Sequence, residues 1–178
     1  TIKLIETTDV HGSFFPYDFI TRKPKSGSMA RVYTLVEELR KKDGKDNVYL
    51  LDNGDILQGQ PISYYYNYVA PEKTNIAASV LNYMGYDAAT VGNHDIETGH
   101  EVYDKWFKEL KFPILGANII DTKTNKPYIL PYYTIKKKNG IKVCVIGMLT
   151  PAIPNWLKES IWSGLRFEEM VSCAKRTM

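Results

Sequence analysis

The chain is short of several things, and each shortage removes a class of answer. Two cysteines in 178 residues, Cys144 and Cys173, are too few for a disulfide framework. Cys144 lies in Val143-Cys144-Val145-Ile146 and reads as a small buried apolar residue, while Cys173 falls on an expected helix. No apolar run approaches the roughly 20 residues of a membrane span, so no membrane segment is expected. No signal peptide is recognisable, and an abrupt start on a strand suggests a mature or trimmed form. A net charge of +3 is too small to steer nucleic acid or an anionic membrane. The one basic run, Lys136-Lys137-Lys138, reads as the solvated end of a hairpin. There is no internal repeat and no low-complexity tract.

What is present is an ordinary globular composition, with 44% hydrophobic residues and therefore enough to bury a core. Residues 2–7 form an expected strand, followed by a turn and an aromatic loop over residues 14–28. Met29, Val32, Tyr33, Val36 and Leu39 then recur at helical spacing, with Ser28 as N-cap and Gly44 as terminator. Residues 48–51 form the second strand. Tyr64, Tyr65, Tyr66 and Tyr68 follow in what reads as a packed loop, too rich in rings to be wholly buried. The next helix places Ala77, Val80, Leu81 and Met84 on one side and ends at Gly85. Residues 86–91 lead to a third strand end, and Thr98-x-x-Glu101 reads as a capping box for a helix bearing Val102, Trp106 and Leu110.

Further strands are expected over residues 114–119 and in a hairpin, 132–138 with 141–148, turning at Asn139-Gly140 as type I′. Phe167, Met170, Val171 and Ala174 mark a last helix. Strand–helix repeated three times and then a hairpin argues an α/β fold, with a largely parallel or mixed sheet between flanking helices.

Three strands end in polar groups of one kind. The first runs into Asp9-x-His11, the second into Asp52-Asn53-Gly54-Asp55, and the third into Gly92-Asn93-His94-Asp95. Carboxyl ends of strands are where open α/β sheets handle ligands. Asp9, His11, Asp55 and Asn93 offer mixed nitrogen and oxygen donors, suited to Zn, Mn, Fe or Co rather than Ca or Mg. Asp55 has two oxygens and can bridge two divalent metal ions, and Asn93 adds a neutral oxygen. Paired cations favour in-line attack on a phosphoryl group. His94 then stands free as general acid, with Asp95 or Glu97 to set its tautomer. His100 and Arg31 read as surface helix residues.

These blocks, Asp9-Val10-His11, Gly54-Asp55 and Gly92-Asn93-His94-Asp95, resemble the calcineurin-like metallophosphoesterases. The wider strings Glu6-Thr-Thr-Asp-Val-His-Gly12 and Asp52-Asn-Gly-Asp-Ile-Leu-Gln-Gly-Gln-Pro61 are similar to the branch of 5′-nucleotidases and 2′,3′-cyclic-nucleotide 2′-phosphodiesterases. The resemblance implies a layered metallophosphoesterase sandwich, with Asp9 and His11 on one metal, Asp55 bridging, and Asn93 on the second. It makes His94 the catalytic imidazole and Glu97 its acid. The Gln-Gly-x-Pro wording leans to the cyclic phosphodiesterases and Glu97 to the nucleotidases.

The family's later histidine, its Gly-His-x-His block and its C-terminal domain with base-sandwiching aromatics have no counterpart here. The chain is therefore expected to be the N-terminal part of one catalytic domain, weak or inactive alone, with at most partial metal occupancy. Its implied partners are a nucleotide, the remaining C-terminal part, docked near the tyrosines, and a second copy through an open sheet edge. A periplasmic or secreted location follows from the resemblance alone. The alternatives are a nuclease or protein phosphatase of the same superfamily, and a non-catalytic binding module on the scaffold.

Overall fold

The computed structural model describes residues 1–178. β1 (Lys3–Thr7) leads through a two-stranded ribbon, β2 (Tyr17–Asp18) and β3 (Lys23–Pro24), to α1 (Met29–Asp43). β4 (Val48–Asp52), a turn of helix α2 (Pro61–Tyr64), α3 (Ile76–Met84) and β5 (Ala88–Thr90) follow. Then come α4 (Asn93–Ile96), α5 (His100–Glu109), β6 (Ile114–Leu115), β7 (Ile119–Asp121) and β8 (Lys126–Pro127). β9 (Tyr132–Lys136), β10 (Lys142–Ile146), α6 (Ile153–Trp156), β11 (Leu165–Phe167) and α7 (Met170–Thr177) complete the chain. The central sheet is parallel, in the order β1-β4-β5-β6, so all four strands end at the same edge.

The helices form where local signals agree. The Ser28 hydroxyl accepts from the Arg31 amide at the start of α1, and Gly85, at φ 69°, ends α3. Arg40 of α1 donates to the carbonyls of Met84 and Gly85, satisfying acceptors left over at the C-terminus of α3. Leu50, Ile56, Leu81, Met84, Ile96, Tyr103 and Trp106 are fully buried in one cluster. Each such side chain stabilises the fold by roughly 1.5–3 kcal/mol relative to exposure. Truncating Leu81 to Ala would cost about 2–5 kcal/mol.

Several local expectations are corrected. The hairpin pairs Lys136 with Lys142, and its turn hydrogen bond joins the Gly140 amide to the Lys137 carbonyl. Asn139 lacks the positive φ that a type I′ turn demands. Its side chain instead donates to the Asp46 carbonyl and accepts from the Ile141 amide. Lys137 is not a solvated residue. It donates to the Val48 carbonyl and to Asp87, and lies 4.7 Å from the centre of the Tyr49 ring.

Cys144 faces outward while Cys173 is buried, and both are free thiols; alternation along β10 turns Val143 and Val145 inward instead. Thr98 does not cap α5. Its hydroxyl donates back to the Asp95 carbonyl, and Gly99, at φ 85°, takes the N-cap position. The strand over residues 114–119 breaks at Gly116, where a β-carbon would collide with the side chains of Ile119 and Ile129. Phe167 belongs to β11, and α7 begins after Glu169, whose carboxylate accepts from the amides of Val171 and Ser172. No helix is long and apolar enough to cross a membrane.

Candidate metal and catalytic centre

The loops after β1, β4 and β5 meet at the carboxyl edge of the sheet and are laced together through backbone. The Asp9 amide donates to the Gly54 carbonyl at 3.1 Å, and the His11 amide to the Asp55 carbonyl at 2.9 Å. The Gln60 amide reaches the His11 carbonyl at 3.1 Å. Asp9, His11 and Asp55 all sit at positive φ, 51°, 48° and 58°, a region that costs a side-chain-bearing residue of order 1–3 kcal/mol. Such strain persists only where surrounding bonds over-determine it. Here it aims three donor side chains out of the loops.

The donors converge. One ligand atom each from His11, Asp55 and His94 lie within 4.8 Å of one another. Asp9 Oδ1 is 3.9 Å from His11 Nε2, and the rings of His11 and His94 meet edge to face at 5.2 Å. Asp55 is 8% exposed, and its Oδ1 accepts from the His94 amide at 2.8 Å. Close approach makes this possible. Gly54 has φ 88°, and a β-carbon on it would strike the Gly92 backbone; one on Gly92 would collide with the Asp55 carboxylate. Asn93 opens α4 immediately after that contact. The His11 imidazole and the Asp55 carboxylate in one small volume, with the Asp9 carboxylate beside them, suit a divalent transition metal by donor type, and the His94 ring stands next to that point.

The two acids that follow His94 do different things. Glu97 Oε2 lies 2.7 Å from His94 Nδ1, so Glu97 sets the ring and leaves Nε2 available. Asp95 makes no contact with the imidazole. Its carboxylate is fully buried and accepts from four backbone amides, those of Asp55, Ile56, Leu57 and Gly92, at 2.8–2.9 Å. Burial raises its carboxyl above the ordinary value, and the four N–H groups pull against that rise. Asp95 is thus the knot that joins the second and third loops, a part not visible in sequence because its donors come from distant segments.

Asp52 is also buried. Burial pushes its carboxyl up to about 7, and it accepts from the Thr7 hydroxyl and the Gly54 amide. His100 stands apart, with Nδ1 on Asp104 at 3.0 Å and Nε2 on the Ser163 carbonyl at 2.9 Å. It is half-buried rather than a surface residue, because Tyr103 and Tyr128 pack on its ring. Arg31 is exposed.

A parallel sheet whose strand ends gather His11, Asp55 and His94 defines a candidate metal site at its carboxyl edge. The chain matches the family model of the calcineurin-like phosphoesterases over residues 2–169, and it belongs to that family.

Among similar proteins is the trifunctional nucleotide phosphoesterase protein YfkN of Bacillus subtilis, 30% identical over 99% of this chain and 13% of its own length. A crystal structure of YfkN superposes with a TM-score of 0.84 at 30% identity, covering 99% of this chain and 56% of that one. The 2′,3′-cyclic-nucleotide 2′-phosphodiesterase/3′-nucleotidase of Haemophilus influenzae is 29% identical over 98% of this chain and 28% of its own length. A 5′-nucleotidase of Vibrio parahaemolyticus is 34% identical over 84% of this chain and 25% of its own length. The chain therefore spans well under a third of the curated relatives it matches.

Proposed function

We propose that this chain forms part of a two-metal phosphoesterase acting on nucleotides, with 2′,3′-cyclic nucleotides and 3′- or 5′-nucleotides as the substrate class. The observation that carries the reading is the gathering of His11, Asp55 and His94 within 4.8 Å, with Glu97 behind His94. The names of the relatives support nucleotides as substrates. A periplasmic or secreted location belongs to the same reading.

Asp9, His11 and Asp55 would hold one divalent ion, and Asp55 with Asn93 the other; Zn, Mn, Co and Fe suit these donors. Bound there, the ions supply positive charge to phosphoryl oxygens and acidify water. The chain's own part is acid–base and positional. Glu97 holds Nδ1 of His94, and Nε2 delivers a proton to the departing ester oxygen. Asp95 keeps Asp55 and the loop bearing His94 in one arrangement.

The test uses the longest form of the protein, assayed with and without Mn or Zn on 2′,3′-cyclic AMP, AMP, single-stranded DNA and a phosphopeptide. Metal-dependent hydrolysis of the nucleotides is expected. Preference for DNA or phosphopeptide would move the protein elsewhere in the superfamily. Absence of divalent-ion binding in calorimetry, together with no ester cleavage, would leave a binding module.

A further inference from the structure

Soon after the loop that bears His11, the chain runs out as the two-stranded ribbon of β2 and β3 and returns to start α1. The root of the ribbon is anchored. Phe14 is 2% exposed, and the amides of Met29 and Ala30 donate to the carbonyls of Ser13 and Phe14. Lys25 Nζ donates to the Ser13 hydroxyl at 2.9 Å. The tip is held from within, because Asp18 Oδ1 accepts from the amides of Ile20 and Thr21 at 2.8 and 3.2 Å. A carboxylate used in this way closes a turn on its own backbone.

This braced ribbon is apolar on one face and basic at its end. The rings of Phe15, Tyr17 and Phe19 form a row, with Tyr17 5.1 Å and Phe15 6.3 Å from Phe19. Phe19 is 49% exposed and its neighbour Ile20 64%. Arg22 and Lys23 follow, both exposed and neither in an ion pair. The net +3 of the whole chain conceals this local imbalance: Arg22, Lys23 and Lys25 stand with one acid, Asp18, between residues 18 and 25.

That combination matches one kind of partner. A standard protein interface needs roughly 800 Å² a side, more than the turn over residues 19–22 offers. A lipid surface asks only for apolar side chains that enter between headgroups and for cations that meet phosphate, and affinity rises with both. Tyrosine suits the same boundary, with an apolar ring and a wet hydroxyl. We propose that the β2–β3 ribbon docks this protein on an anionic phospholipid surface, with Phe19 and Ile20 in the headgroup layer and Arg22 and Lys23 on lipid phosphates. The contact uses none of the candidate centre's side chains and does not rest on the phosphoesterase reading.

The test floats the longest form of the protein with vesicles of phosphatidylcholine, alone or mixed with phosphatidylglycerol. Binding to the mixed vesicles is expected, weaker on the neutral ones and falling as salt is raised. Phe19→Ser combined with Ile20→Ser should lower partitioning about tenfold or more at every salt concentration. Arg22→Gln and Lys23→Gln should each lower it about fivefold at low salt and flatten the salt dependence. These side chains are exposed, so melting temperatures should hold. Tyr83→Ser, at an aromatic residue 75% exposed outside the ribbon, should bind as wild type does. In Phe19→Trp, mixed vesicles should shift the emission to the blue by an amount absent from the unsubstituted protein.

No binding to mixed vesicles, or binding that ignores the ribbon variants, overturns the proposal. If the Phe19 and Ile20 changes instead dissolve a dimer in size-exclusion chromatography, with no vesicle binding by wild type, the ribbon joins copies of the chain and the proposal falls. Vesicle binding without ester cleavage keeps the ribbon and removes the hydrolase reading; cleavage without vesicle binding does the opposite.

Discussion

Two histidine–carboxylate pairs lie six residues apart and have opposite surroundings. His94 meets Glu97 at 2.7 Å, and one ring nitrogen is left over beside His11 and Asp55. His100 meets Asp104 at 3.0 Å, but its other nitrogen is taken by the Ser163 carbonyl, and Tyr103 and Tyr128 pack on its ring. Asp104 is itself engaged by the Tyr128 hydroxyl at 2.7 Å. The same two functional groups thus leave a ring nitrogen open in one place and form a fastening, with both ring nitrogens engaged, in the other. Chemistry resides in what is left unsatisfied.

The strongest attempt to break the contrast is a change at each histidine. His94→Gln is expected to lower nucleotide hydrolysis by about 10²–10⁴-fold, the usual contribution of a positioned general acid, while divalent-ion binding by calorimetry persists. His100→Gln should keep turnover within a few-fold and lower the melting temperature instead. Loss of metal binding in the His94 variant would recast that residue as a ligand rather than an acid.

A third carboxylate sharpens the same point in terms of stability. Asp95→Asn replaces an acceptor-only group with one that also donates, in front of four backbone amides. Unpaired buried donors cost about 1–3 kcal/mol each, so urea denaturation should show a loss of roughly 2–5 kcal/mol. An unchanged midpoint would mean that the loops do not depend on this knot.

Glu97→Gln is expected to do less, because a neutral amide still accepts a hydrogen bond from Nδ1. Turnover should fall about tenfold, or ~1.4 kcal/mol in barrier, with stability unaltered. Asp104→Asn should show the reverse, a stability change without a kinetic one. Identical profiles for the two variants would erase the distinction between the pairs.

How much of this was legible in sequence depends on how local each cause is. Ser28 and Gly85 mark their helix ends because a cap is decided within four residues. The three polar strand ends were equally plain, since each motif is contiguous. Their convergence follows once the strands are parallel, because parallel strands end at one edge.

What could not be read are interactions between segments. Asn139 stays within the turn but without the positive φ of type I′, and its side chain donates to the carbonyl of Asp46, 93 positions away in the chain. Lys137 is taken from solvent by Asp87 and the Val48 carbonyl. Asp95 looks like an acid partner for the neighbouring His94, and only the folded chain brings it the amides of residues 55–57. The positive φ of Asp9, His11 and Asp55 has no compositional mark either, because glycine is the residue that normally signals it.

The smallest expected effect lies at the edge of the fastened pair. Tyr128→Phe keeps the ring that meets His100 edge to face and removes only the hydroxyl that donates to Asp104. The Asp104 side chain is 28% exposed, so water can replace the lost donor, and the change should cost about 0.5–1.5 kcal/mol. Burial, and then that bond to Asp104, raise the Tyr128 phenol well above its ordinary value, so the native hydroxyl stays a donor at any pH an assay would use. The loss should therefore be independent of pH and visible as a small shift in urea midpoint, with nucleotide turnover intact. If Tyr128→Phe slows hydrolysis instead, His100 and His94 are coupled through α4 and the start of α5. The two pairs would then be one device rather than two.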